Sequence, residues 1–324
     1  MSLNIWLRSS LLASLLLSAT ACFAQSDWPA KPIRMIAPFA AGGPTDHASR
    51  TLAPKLAEAL GRPVVVENIV GAGSTLGTGR IAQADPDGYT IGLGHVGALA
   101  IAPAMYDKLP YDPLKGFTLI SLVSDYVNIL VVRADGPIRS VNELLALARS
   151  QPGKLTYGSA GIGSSNHLSG ELLVSMAGVQ LTHVPYKGSA PAMVDLIGGR
   201  LDFMFDVLLN SMPNVQSGKL RVLGVTGRNP LPALPGVPTV AEAVPGFEVL
   251  GWAGLVGPAG LPSAIVERLH AEIGRIMKMP DVIKSFASIG FDARTSTGSE
   301  FRELLIHDLK LWDPIIRSAG IRAN

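Results

Sequence analysis

The residues best placed to do chemistry in this chain are small and stand where strands give way to helices. Phe39-Ala40-Ala41-Gly42-Gly43-Pro44-Thr45-Asp46 follows a β-branched run over residues 33–38 and precedes a helical pattern. Pliable backbone at a helix N-terminus leaves N–H groups unpaired at the positive end of the helix dipole, where carboxylates or phosphates are held. Phe39, Ala41 and Gly43 offer backbone there, Thr45 offers a hydroxyl, and Asp46 faces either a ligand or its own helix. The segment Tyr157-Gly158-Ser159-Ala160-Gly161-Ile162-Gly163-Ser164-Ser165-Asn166-His167 repeats the design, with Ser159, Gly163, Ser164, Ser165 and His167 as candidate ligand contacts. Two further glycine loops, residues 71–79 with Gly73 and Ser74, and residues 92–97 with His95, bring backbone close to the same kind of site. Asp206 ends a strand pattern and either accepts from a ligand or ties down a loop. Two such loops aimed at one cleft would clamp a ligand with acidic groups at its ends, as in a dicarboxylate.

Competing chemistries fit less well. Gly73-Ser74-Thr75-Leu76-Gly77-Thr78-Gly79 matches the G-x-x-x-G-x-G dinucleotide pattern, and Tyr111-Asp112-Pro113-Leu114-Lys115 matches Tyr-x-x-x-Lys. The Tyr/Lys pair needs one helical face, which Pro113 interrupts, and the glycines follow the second strand instead of the first. There is no G-x-S-x-G elbow, and the 6 histidines show neither H-E-x-x-H nor a close His/Cys cluster. No catalytic set, metal site or cofactor motif is legible, which leaves an exported hydrolase or an NAD-dependent dehydrogenase as distant alternatives.

These loops need an α/β scaffold, and the rest of the chain supplies its pattern. The 324 residues are 48% hydrophobic and 16% charged, enough apolar material for two domains with proper cores. Lys plus Arg number 27 against 25 acids, without a basic cluster, so no nucleic-acid partner is expected. Arg8, an apolar run over residues 11–21 and Ala-Cys-Phe-Ala ending at Ala24 read as a secretory leader over residues 1–24. Cys22, the single cysteine, would leave with it; a lipoprotein site at Cys22 is the weaker alternative, because Ala19 stands where Leu is usual. Domain 1 is expected to begin with residues 25–124, domain 2 to occupy residues 125–248, and residues 249–324 to return to domain 1.

Short β-branched runs alternate with helical stretches, as in a mostly parallel sheet. Strands are read over residues 33–38, 64–68, 89–93, 118–123, 127–132, 155–157, 201–205, 220–226 and 249–256. Helices are read over residues 47–60, 141–150, 165–177, 190–197, 208–217, 262–277, 280–288 and 299–316. Leu304, Leu305, Leu309, Trp312 and Ile316 should pack the last helix on the core, leaving a monomer as the expected state.

Several motifs in this order resemble one family. Ile36-Ala37-Pro38-Phe39-Ala40-Ala41-Gly42-Gly43-Pro44-Thr45-Asp46, Val64-Val65-Val66-Glu67-Asn68 and Asp85-Pro86-Asp87-Gly88-Tyr89-Thr90 look like the Bug family of extracytoplasmic solute receptors, the TctC-like binding proteins of tripartite tricarboxylate transporters. His183-Val184-Pro185-Tyr186-Lys187-Gly188 and Met204-Phe205-Asp206 continue the match, which covers about residues 28–322. The resemblance implies a periplasmic type II binding protein of the Venus-flytrap kind, closing two α/β domains on a small carboxylate for a membrane permease, without catalysis or cofactor. It also implies that Thr45, Asp46, Ser159, Ser164 and Ser165 help to grip a ligand carboxylate, with an orphan sensing role as an alternative to transport. Two departures concern the far end of the ligand: Gly73-Ser74-Thr75-Leu76-Gly77 stands where many relatives carry Gly-Gly-x-x-Gly with Asn, and Val207-Leu208-Leu209 after Asp206 is apolar. An apolar or aromatic body is implied as one option and a plain dicarboxylate as the other.

Overall fold

The computed structural model describes residues 28–186, 188–318 and 320–322; the leader read over residues 1–24, Cys22 within it, and Lys187 lie outside the described residues. Along the chain run β1 (Ile33–Ala37), α1 (Pro44–Leu60), β2 (Val64–Asn68), α2 (Thr75–Ala82), β3 (Thr90–His95) and α3 (Ala102–Met105). Then come β4 (Phe117–Arg133), α4 (Val141–Ser150), β5 (Thr156–Ser159), α5 (Ser165–Ala177), β6 (Thr182–Pro185), α6 (Ser189–Ile197) and β7 (Phe203–Val207). The last elements are α7 (Leu208–Gln216), β8 (Leu220–Val225), β9 (Leu250–Pro258), α8 (Ser263–Ile276), α9 (Pro280–Ser288), β10 (Phe291–Ala293) and α10 (Gly298–Ser318).

Local chemistry explains most of these boundaries. α1 starts at Pro44, three residues before the position expected from the pattern, because proline at the first turn loses no hydrogen bond. Gly61 ends it in the left-handed conformation, φ 71°. Ser140 and Ser164 cap α4 and α5 by accepting the N–H of Glu143 and His167.

One expectation is corrected. The apolar runs at residues 118–123 and 127–132 form a single strand of 17 residues, β4. The polar stretch Ser124-Asp125-Tyr126 stays in the ladder because register shifts against β9 absorb the bend, as bulges do. The segment Gly97–Ile101 leading into α3, and the short β10, were absent from the sequence reading.

β4 is the spine of the molecule. The strand order is β2-β1-β3-β9-β4-β7-β5-β6, with β10 and β8 also paired to β4. Its first part pairs with β9 and β10, and from Asn128 onward it pairs with β7 and β8. Two lobes result, one on each half of β4. In each lobe parallel strands carry helices at their carboxyl ends: β1, β2 and β3 in the first, β5, β6 and β7 in the second.

The lobes share part of their core. One buried cluster runs from Ile36 and Leu99 through Leu130 and Phe203 to Trp252 and Trp312, and α10 contributes Phe301, Leu305, Trp312 and Ile316 to it. Leu304 and Leu309 pack at its margin. Among the described residues no helix is long and apolar enough to cross a membrane.

Candidate functional site

The first-lobe loops are held by side chains that turn inward. After β1, the Asp46 carboxylate accepts the Gly42 N–H at 2.9 Å, the Arg50 Nε at 2.9 Å and the Asn68 Nδ2 at 2.9 Å. Asn68 also donates to the Phe39 carbonyl at 2.9 Å, tying residues 39–46 to the end of β2. Burial pushes the Asp46 carboxyl up, but Arg50, the Gly42 N–H and Asn68 outweigh it and hold the group below the usual aspartate value. Thr45 is buried, Ala40, Ala41 and Gly42 are exposed, and Gly43 precedes the first turn of α1 without a side-chain cap. The exposed backbone is what this loop presents.

The loop after β2 is strained. Gly71, Ala72, Gly73 and Ser74 have φ of 141°, 47°, 61° and 80°, and the left-handed region costs a non-glycine residue roughly 1–2 kcal/mol. Tyr106 and Thr75 hydroxyls donate to the Ala72 carbonyl at 3.1 and 2.7 Å, and Ser74 bonds His95 Nε2 at 2.7 Å. His95 is buried beneath it. Its Nδ1 accepts the Gly97 N–H at 3.1 Å, so Nε2 carries the proton toward Ser74, and the Phe39 ring lies 4.6 Å away. Desolvation pushes the His95 imidazole down to about 3, so it is neutral at physiological pH. The glycines that mimic a dinucleotide motif have a packing reason instead. A Cβ on Gly77 would come 2.5 Å from the Ile69 carbonyl oxygen, and one on Gly79 would come 2.8 Å from the Pro110 ring.

The second lobe uses a buried polar network. Asp206 is fully buried and accepts from Asn166 at 3.1 Å, Ser189 at 2.9 Å, Asn210 at 3.3 Å and Ser211 at 3.3 Å. It therefore ties together the first turns of α5, α6 and α7, the loop-tying option of the sequence reading. Burial raises its carboxyl, and the hydroxyl, amide and backbone donors only partly offset this.

Above Asp206, Ser159 bonds His183 Nε2 at 2.7 Å and accepts the Gly161 N–H at 3.1 Å. The Gly163 N–H donates to His167 Nδ1 at 3.1 Å, and Ser164 donates to the Gly161 carbonyl at 2.7 Å. The His167 and His183 rings stack at 3.9 Å, and Tyr157 donates to Glu171 at 2.5 Å beneath them. Desolvation, reinforced by His167, lowers the His183 imidazole to about 3. Burial raises the Glu171 carboxyl, yet His167 and Tyr157 outweigh it and leave the group low.

Where the lobes meet, a glycine of each receives a side chain of the other. Met105 Sδ and Cε lie 2.6 Å from where a Gly163 Cβ would stand, and Leu208 Cβ lies 2.7 Å from the corresponding point on Gly290. On the spine, Tyr126 stacks on Phe291 at 4.7 Å and its hydroxyl meets Ser165. Asn128 donates to Ser169 at 3.1 Å and accepts from Ser165 at 3.5 Å.

The structure thus joins Phe39, Gly73, Ser74 and His95 in one first-lobe group, and Ser159, Gly163, Ser164, Ser165 and His167 in one second-lobe group, with Asp206 linked through Asn166. Ala41, Gly43, Thr45 and Asp46 lie on the β1 loop beside the first group. Sequence reasoning missed Arg50, Asn68, Tyr126, Asn128, Glu171 and Ser189. For Asn128 a signal existed: one amide inside an apolar strand must find a buried partner.

Comparison with known proteins adds an independent line. The description "tripartite tricarboxylate transporter family receptor" matches residues 48–321. A protein from the tcbD-tcbE intergenic region of Pseudomonas sp. strain P51 is 38% identical over 299 residues, covering 92% of this chain and 89% of that one. The periplasmic binding protein BugD superposes with a TM-score of 0.80 at 36% identity, over 92% of this chain and 100% of that one. Rpa4515 of R. palustris, solved with adipate, superposes with a TM-score of 0.82 at 33% identity, over 91% of this chain and 99% of that one.

Proposed function

The chain belongs to the tripartite tricarboxylate transporter family of receptors, the Bug proteins, and on that premise we propose that it captures a small carboxylate between its lobes and hands it to a transporter permease. The family is one of periplasmic solute-binding receptors with a two-domain α/β fold, and not of enzymes. Export through the leader read over residues 1–24, with cleavage after Ala24, is part of the proposal. So is the division of the lobes into residues 25–124 with 249–324, and residues 125–248.

One observation carries the reading: each lobe brings a glycine-rich loop onto a helix start, residues 40–43 with Ala40, Ala41 and Gly42 exposed and residues 161–164 with Ile162 exposed, while its ionisable side chains serve to hold those loops. A carboxylate between them would accept from the first-turn N–H groups of α1 and α5, which a helix leaves without an intrahelical partner, with Thr45 and Ser165 adding hydroxyls. In this mechanism the ligand docks on one lobe and favours the closed form by touching both, its differential affinity driving closure. Water excluded by closure strengthens each contact. Relatives point the same way, since Rpa4515 was solved with adipate.

Thermal melting of the mature protein against mono-, di- and tricarboxylates, acidic amino acids and aromatic acids tests this. A ligand at 100 times its Kd adds about 2.7 kcal/mol to stability, and Thr45→Ala or Ser165→Ala should weaken that shift. Absence of a shift with every acid, from protein freed of carried-over ligand, would overturn the reading.

A further inference from the structure

Of the large hydrophobic side chains that are most exposed among the described residues, three sit on the loops of the candidate site: Val70 at 53%, Leu76 at 45% and Ile162 at 47%. They belong to both lobes, and the loops that bear Leu76 and Ile162 adjoin. Leu76 packs on Gly71, the neighbouring Ala72 carbonyl takes the Tyr106 hydroxyl, and Met105 beside Tyr106 lies against Gly163, next to Ile162. The loop bearing Val70 and Leu76 is held in its shape, since Ala72 and Ser74 stay left-handed only under the grip of Tyr106, Thr75 and His95. Nearby ionisable groups do not supplement this wall. Asp46 is engaged by Gly42, Arg50 and Asn68, His95 by Ser74 and Gly97, and Asp206 by the three helix starts.

Resting on the receptor reading above, we propose that the ligand is a carboxylate whose body is hydrocarbon, a methylene chain or a ring, and that Leu76 and Ile162 select it. Loop backbone holds the carboxylate, and the wall formed by Val70, Leu76 and Ile162 covers the body. A short hydroxy acid would bring its hydroxyl, and carboxylates separated by too short a carbon chain to clear it, against this wall, where they lose water without gaining partners. A methylene chain or an aromatic ring loses nothing there and buries apolar surface from both sides.

The test is calorimetric titration of the mature protein with adipate, hexanoate, benzoate, malate and citrate, repeated on Leu76→Asn and Ile162→Ser. Both substitutions are at exposed side chains, and unchanged melting of the unliganded variants checks that they fold. The expected result is that at least one of adipate, hexanoate and benzoate binds more tightly than malate and citrate. Each substitution should then weaken that acid by about tenfold, the loss of roughly two buried methylenes. Tighter binding of malate or citrate, or equal affinity of wild type and both variants for the preferred acid, overturns this inference while the receptor reading stands. No binding of any acid overturns the receptor reading and this inference with it.

Discussion

Asp46 and Asp206 are both buried carboxylates beside a strand-to-helix junction, one in each lobe, yet they are stabilised in opposite ways. Asp46 meets Arg50 one helical turn along, a guanidinium 53% exposed, in addition to a backbone N–H and an amide. Asp206 has only hydroxyl, amide and backbone donors around it, drawn from three helix starts. The first lobe therefore closes its loop with an ionic clip whose arginine side is open to solvent, and the second with uncharged donors out of reach of water. A pair with one solvent-exposed partner is worth less than a buried one and is partly screened by salt. A buried carboxylate with several donors is costly to break, because each donor is stranded without water.

Asp206→Ala should be the most damaging change. It strands Asn166, Ser189 and Ser211 inside the second lobe, and a loss of about 3 kcal/mol is expected. That corresponds to a fall of several degrees in Tm for a protein of this size. Asp206→Asn, which keeps one acceptor oxygen, should lose less. Melting curves of both variants decide it; a drop under one degree for the alanine variant would mean that the network does not hold the lobe.

Acid should expose a second contrast. His95 is neutral in the folded state with a value of about 3, against 6.5 when unfolded. Its stabilising effect is complete above 6.5 and is lost as pH falls from there toward 3, because the unfolded chain gains a proton that the folded one refuses. The slope is about 1.4 kcal/mol per pH unit. His183 shifts the same way, with a smaller effect because it is only half-buried. Asp206 opposes both as pH nears the aspartate range, since its raised value lets the folded state take the proton first. Melting between pH 7 and pH 5 should therefore show falling Tm, and His95→Asn should flatten the decline.

Asp46→Asn is the milder counterpart of Asp206→Ala. It removes the attraction of Arg50 but keeps one oxygen for Gly42 or Asn68, and about 1 kcal/mol is expected. Raising salt should shrink the difference between wild type and Asp46→Asn, because the lost interaction is an ion pair with one exposed partner. The Tm deficit of Asp206→Ala should not respond to salt. Equal salt responses would erase the distinction between the lobes.

The scaffold was far more legible in the sequence than the orientation of its side chains. β2, α4 and α9 fall on their expected residues, because proline or a serine cap starts each helix and glycine or proline bounds the strand. The sequence suggests two strands where β4 runs, because the polar Ser124-Asp125-Tyr126 separates two apolar runs, whereas β9 and β10 pair straight through it. The loops themselves were found from glycine and hydroxyl content. Their inward-turned groups were not, since sequence spacing does not reveal that Asn68 lies across from Asp46, or that Ser189 reaches Asp206. Residues distant along the chain set those orientations, and only the fold brings them together.

Asn128 tests whether the spine and the second-lobe loop act as one unit. Its backbone N–H donates to the Thr226 hydroxyl at 2.9 Å, its carbonyl accepts the Thr226 N–H at 2.9 Å, and Thr226 in turn donates to the Val249 carbonyl at 2.9 Å. Those contacts fasten the places where the chain passes between lobes. It is the side chain of Asn128, not its backbone, that reaches Ser165 at the start of α5 and Ser169 one turn on. Asn128→Ala keeps the backbone ladder and removes that reach, so the unliganded protein should lose only about 1 kcal/mol. If the amide positions Ser165 for the ligand, carboxylate affinity should fall severalfold, chiefly through faster dissociation. Ser165→Ala in the same background should then cost little more, because coupled residues do not add. Full additivity of the two substitutions in a titration series would show that Ser165 is held in place without Asn128, which leaves Tyr126 as the spine residue that reaches it.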